Sequence, residues 1–148
     1  MKDIIEAMFA VADWFVMEGA ELRYSEDVDP YESGPRQSYL HEARFDDLQV
    51  FIGEPVTMCG RDPVAEVAVT LRTGIPLSVD VVDQSVEPLR ASAPAGVAVE
   101  VIEGCEPDAG TTVWAVAFLD KTDMDDGSYA TTMSNLLGFA RSRQAQAI

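Results

Sequence analysis

The stretch Val64-Ala-Glu-Val-Ala-Val-Thr-Leu-Arg72, joined through Thr73-Gly74 to Ile75-Pro-Leu-Ser-Val-Asp-Val81, decides the fold. In its first run Val67, Val69 and Leu71 point one way, and Glu66, Ala68, Thr70 and Arg72 point the other. A period of two marks a strand, because successive side chains of an extended backbone leave opposite faces. Ile75, Leu77, Val79 and Val81 continue the period. The Thr73-Gly74 link predicts a hairpin between the two runs. Pro76 has no N–H to donate, which places it at an edge or a strand start.

Outward from this centre the strand signal persists. Val97 to Glu103 alternates through Val97, Val99 and Val101. Thr111 to Leu119 is apolar nearly throughout, the pattern of a central strand covered on both faces. Upstream, Phe45 to Ile52 predicts one strand and Val56 to Cys59 a short one. Residues 83 to 96 interrupt the alternation. One or two helical turns fit within Asp83 to Ala93, with Pro88 suited to a first turn.

The ends of the chain switch to helical spacing. Over residues 3 to 19, Ile4, Ile5, Met8, Phe9, Val11, Ala12, Phe15 and Val16 form one apolar face, with Asp3, Glu6 and Asp13 opposite and Gly19 as the stop. Trp14 and Met17 project away from that face, either covering the edge of the core or offering a partner contact. Near the C-terminus Asp126-Gly127-Ser128 supplies a cap. Tyr129, Met133, Leu136, Leu137 and Ala140 then form a stripe, and Arg141 and Arg143 sit where the helix dipole favours cations. The expected fold is α+β: one domain over residues 1–148, with an antiparallel sheet of about five to six strands packed with N-terminal and C-terminal amphipathic helices. A long acidic loop is expected over residues 24–44.

A chain of 148 residues buries about 70% of the surface it exposes when unfolded, so its core needs no metal or disulfide. Its charge is unusual: 26 acidic residues against 10 basic ones give a net charge of -16 and a pI near 4.1. Phosphate backbones and anionic membranes repel such a chain, which argues against direct nucleic-acid or membrane-surface binding. A basic protein partner is favoured, because opposite charge speeds encounter. Solubility or adaptation to salty surroundings explains the same composition, and the scarcity of lysine (only Lys2 and Lys121) suits that account. No run approaches the about 20 apolar residues of a membrane span. Asp3, Glu6 and Asp13 interrupt any secretory h-region, so a cytoplasmic location is expected. Cys59 and Cys105 make no disulfide framework.

Catalytic signatures are weak. His41 is the only histidine, and nothing in the sequence sets it beside a cysteine or serine. No serine lies in a nucleophile elbow and no glycine loop cradles phosphate. Asp120, Asp123, Asp125 and Asp126 gather ahead of Gly127. A calcium loop with Gly127 sixth would need acids where Thr122 and Met124 stand. No catalytic residue, metal site or cofactor is therefore expected.

The residues marked for partner binding are Glu26, Asp27, Asp29, Glu32 and Tyr31 in the long loop, then Asp123, Asp125, Asp126 and Trp14. Carboxylates beside tyrosines suit arginine through paired hydrogen bonds and cation–π contact. Asp80 and Glu100, if they share a sheet face, extend the negative strip. The expected function is that of an acidic, non-enzymatic inhibitor of the nucleic-acid-mimic type. It would occupy the basic surface of a nucleic-acid-binding protein or complex, as phage anti-defence proteins do. That comparison rests on charge and size alone. Two alternatives stand beside it. One is a small acidic secretion or assembly chaperone, a homodimer, whose order of elements this chain shares in outline. The other is a halophile-adapted domain of other function.

Overall fold

A computed structural model describes residues 2–24, 39–53, 63–75, 86–103 and 111–146. The elements run α1 (Lys2–Met17), β1 (Glu21–Tyr24), β2 (Tyr39–Arg44), β3 (Gln49–Gly53), β4 (Pro63–Ile75), α2 (Glu87–Ser92), β5 (Ala98–Glu103), β6 (Thr111–Asp120), α3 (Lys121–Asp125) and α4 (Tyr129–Gln146). The six strands form one sheet in the order β1-β2-β3-β4-β6-β5, and every neighbouring pair is antiparallel. The fold is α+β, as the periodicities predict.

The long alternating run sits at the centre of the sheet. Val67 and Val69 of β4 face Ala117 and Ala115 of β6, and Val50 of β3 pairs with Val69. These residues share one face with Phe15 and Val11 of α1 and Met133, Leu136 and Ala140 of α4, all buried in a single core. Helix α1 packs across β1 to β4, and α4 packs on β4 and β6. Burying a side chain the size of Phe15 or Leu136 contributes about 2–3 kcal/mol each, which is what holds the helices to the sheet.

The opposite face of the sheet is buried as well. Phe51, Ala68, Trp114 and Val116 form a second apolar cluster with Phe118 against it. The Phe51 and Trp114 rings meet edge-on with centroids 5.7 Å apart. Ala68 of β4, the strand between them, has Phe51 and Val116 as its register partners. The near-continuous apolar composition of Thr111 to Leu119 thus has its expected cause: β6 is central and covered on both faces.

Three local expectations are corrected. Thr73-Gly74 makes no hairpin; β4 runs through it to Ile75. Register shifts between Thr70 and Arg72 and between Arg72 and Ile75 absorb the irregularity that the glycine signalled. A glycine inside a strand marks a bulge as readily as a turn. Phe45 to Ile52 is not one strand: Phe45 N–H donates to Leu48 O at 2.9 Å, closing a turn between β2 and β3. The last part of the expected 24–44 loop is strand β2. Its alternation is hard to see because a charged residue, Glu42, and not an apolar one, is buried on the second face.

The caps follow local chemistry. Gly19 has φ +100, a conformation only glycine adopts freely, and Ala20 N–H reaches back to Phe15 O at 3.0 Å, ending α1 as the sequence predicts. Pro88 lies in the first turn of α2. At the start of α4, Asp126 Oδ1 accepts the Ser128 N–H at 2.9 Å across Gly127, whose φ is +77. Val56 to Cys59, Ile75 to Val81 beyond residue 75, and Cys105 lie outside the described residues.

Candidate interaction surface

Helix α1 carries more apolar surface than the sheet covers. Ile4, Ala7, Met8, Val11, Ala12 and Phe15 belong to the core or pack against it. Ile5, Phe9 and Val16, expected on the same face, are 45%, 48% and 45% exposed, and Met17 is 86% exposed. These are all the exposed large apolar side chains among the described residues, and all four lie on one helix. At about 100° per residue, Ile5, Phe9 and Val16 align in a row roughly 140° round the helix from Val11. Their row spans about 16 Å at 1.5 Å per residue. The apolar arc is simply wider than the arc that a flat sheet can bury.

One side of this ridge meets the sheet. The Phe9 ring stands over His41 of β2, with centroids 5.4 Å apart and the planes tilted by 52°. His41 is buried, and burial lowers its pKa from the usual 6.5. It is a neutral core residue beneath a half-exposed phenylalanine. The other side of the ridge is acidic. Glu6 and Asp13 are exposed about 70° further round the helix, and α1 has no basic residue in its last turn.

An open cleft of about 550 Å³ lies at the C-terminal end of α1, lined by Gly19, Glu21, Arg44, Phe45, Asp46, Asp47 and Arg141. Its cations already hold acids. Arg141 Nε donates to Asp47 Oδ2 at 2.9 Å, and its guanidinium stacks over Phe45 at 5.0 Å. Arg44 turns toward Glu42. That carboxylate, fully buried, accepts from Arg44 Nε at 3.1 Å, Gln49 Nε2 at 2.7 Å and Arg23 Nη1 at 3.3 Å. The three donors come from β1, β2 and β3, so one carboxylate ties the edge strand into the sheet. Such a set satisfies a buried charge and is structural in character. Glu66 is also fully buried, on the same face, between Gly53 and Phe118 of the neighbouring strands.

The residues marked from sequence fall into three groups. Glu26, Asp27, Asp29, Tyr31 and Glu32 lie outside the described residues, as does Asp80. Asp123 and Asp126 serve local structure. Asp123 Oδ2 accepts the Asp120 N–H at 2.9 Å, the return half of a capping box on α3, and its Oδ1 accepts from Ser128 Oγ at 3.2 Å. Asp126 makes the α4 cap, and those hydrogen bonds from Ser128 lower its pKa. Asp125 is exposed. Trp14 is half-buried, packed on the core and edge-on to Phe15 with ring centroids 5.1 Å apart. Glu100 is half-buried opposite Trp114 on the second face. The aromatic that reaches outward is Phe9. Periodicity alone assigns it to the core; only the width of the apolar arc, more than half the helix circumference, signals that something must stay outside.

Among the described residues no helix is long and apolar enough to cross a membrane, and no three metal-ligating side chains are grouped to hold an ion. No family model matches the chain, and neither curated proteins nor solved structures give a match.

Proposed function

We propose that this chain is a protein-binding domain that engages a basic partner through the exposed ridge of α1. The observation that carries this reading is the concentration of Ile5, Phe9, Val16 and Met17 on one helix. Exposed apolar residues scattered singly are normal, whereas a contiguous row bordered by charge is how interaction faces are built. The net charge of -16 favours a basic partner. A holding role toward a client segment, of the kind assembly chaperones perform, suits a face that is apolar at its centre and acidic at its side.

The inhibitor reading, in which acids imitate phosphates on a basic nucleic-acid-binding surface, draws on the same net charge. Of the acids assigned to it, Asp123 and Asp126 are engaged in capping, so its weight falls on exposed Asp125 and on Glu26, Asp27, Asp29 and Glu32, which lie outside the described residues. The two readings separate by salt and by variant. Tagged wild-type protein and the Ile5→Ser/Val16→Ser variant are used to capture partners from the source cell's lysate, with stepwise salt elution and mass spectrometry. The ridge reading expects a partner that survives high salt with wild-type and is lost with the variant. A partner released at moderate salt and held equally by both proteins transfers the function to the acids Glu26, Asp27, Asp29 and Glu32.

A further inference from the structure

The ridge has a shape and an electrostatic frame that select one kind of occupant. Ile5, Phe9 and Val16 repeat at four and seven residues, so they form a straight row along the helix axis. A row of i, i+4 side chains is the surface that a second helix meets ridge into groove. A strand presents its side chains every second residue and matches this spacing poorly.

Charge fixes the identity further. Glu6 and Asp13 run along the flank of the row. Beyond its C-terminal end Glu21, Asp46 and Asp47 are exposed at the cleft, where Asp47 is paired to Arg141. The C-terminal carbonyls of a helix carry about half a negative charge, the last turn of α1 contains no cation, and Arg44 and Arg141 in the cleft beyond it are held by Glu42 and Asp47. A second copy of this chain would set those acids against their own kind, with -16 on each molecule.

We propose that the ridge of α1 receives one basic amphipathic helix of a partner protein. Its apolar side chains pack on Ile5, Phe9 and Val16, and its Lys and Arg side chains face Glu6 and Asp13 on the flank of the row and Glu21 and Asp46 beyond its C-terminal end. This inference rests on the reading of α1 as the binding face and adds the conformation and charge of what binds. The partner's cationic end lies over the C-terminal end of α1, where the dipole and the carboxylates add.

The test uses the full chain and a fluorescein-labelled Leu/Lys peptide of about 18 residues, long enough to cover the row as a helix. Its leucines fall at helical i, i+3, i+4, i+7 positions. A second peptide has the same composition in strict alternation, and a third replaces every Lys by Glu. Anisotropy at about 150 mM salt is expected to show saturable binding of the helical Lys peptide alone. The other two should bind at least about tenfold more weakly. Phe9→Ser should weaken the helical Lys peptide by about tenfold, and Asp13→Lys by about threefold, a factor that shrinks as salt rises. Because Phe9 covers His41, Ile5→Ser/Val16→Ser serves as a second ridge variant with less bearing on folding. Equal binding of the alternating peptide, or unchanged binding by both ridge variants, overturns the proposal. A dimer in sedimentation equilibrium that the ridge variants dissolve also overturns it, while keeping α1 as the binding face. Lysate capture insensitive to those variants removes the broader reading instead.

Discussion

Two buried polar residues show how single side chains are made tolerable inside this sheet. Glu42 is fully buried, yet Arg23 and Arg44 keep 31% and 43% of their side-chain surface in water. Removing either arginine leaves the carboxylate a second one and Gln49. Arg23→Ala or Arg44→Ala should therefore cost about 1 kcal/mol or less. The double variant strands a buried charge and should cost about 3 kcal/mol, more than the sum. Urea melts of the four proteins read that excess directly, and a purely additive result would show that Gln49 alone satisfies Glu42. His41 answers to pH in a defined direction. Burial depresses its native pKa below 6.5, so as pH falls the unfolded chain takes up the proton first. Stability from this group is full above about pH 6.5 and declines as pH drops toward the depressed native value. His41 is the only histidine, and the carboxylates of an unfolded chain titrate near pH 4. Between about pH 7.5 and about pH 5.5 the wild-type Tm should fall, and His41→Gln should flatten that slope. An equal slope in the variant would place the titrating group elsewhere.

At the scale of elements, the fold is legible in the sequence and the exposed ridge of α1 is not, for a common reason. Hydrophobic period distinguishes strand from helix because backbone geometry sets it, and β4, β5, β6, α1 and α4 all follow from it. It does not say which part of a wide apolar arc is covered. Phe15 and Val16 are adjacent and both apolar, yet one is fully buried and the other is 45% exposed. Phe15→Ala should cost about 3–4 kcal/mol by opening a cavity between α1 and the sheet. Val16→Ser should change stability by about 0.5 kcal/mol or less. Thermal melts giving the two substitutions similar costs would mean that the ridge is packed against something in the isolated chain. The acids ahead of Gly127 teach a related lesson. Their clustering suggests a charged surface, whereas Asp123 and Asp126 hold the backbone at the junction of α3 and α4. Asp123→Ala should cost about 1 kcal/mol through the lost cap, an outcome that capping chemistry at Asp120-Lys-Thr-Asp123 makes legible in hindsight.

For the molecule as a whole, the decisive quantity is the net charge of -16. A folded domain gathers these charges within a few Debye lengths of one another, so their repulsion opposes folding and adding salt relieves it. The sources of acidity predict different salt curves. If the charge serves partner recognition, screening is the only salt effect on stability. The Tm should then rise by a few degrees between about 20 mM and about 200 mM NaCl and level off, because the Debye length has fallen to about 7–8 Å. If the charge is an adaptation to concentrated salt, the chain should lose structure at low ionic strength and Tm should keep rising into the molar range, where screening has nothing left to give. Circular dichroism melts over that series decide between them. A plateau by about 200 mM sets solvation aside as the reason for the acidity. It then turns the unequal placement of exposed apolar residues, all on α1 among the described residues, into the next thing to explain, since a chain stable without a partner has no folding reason to keep Phe9 half in water.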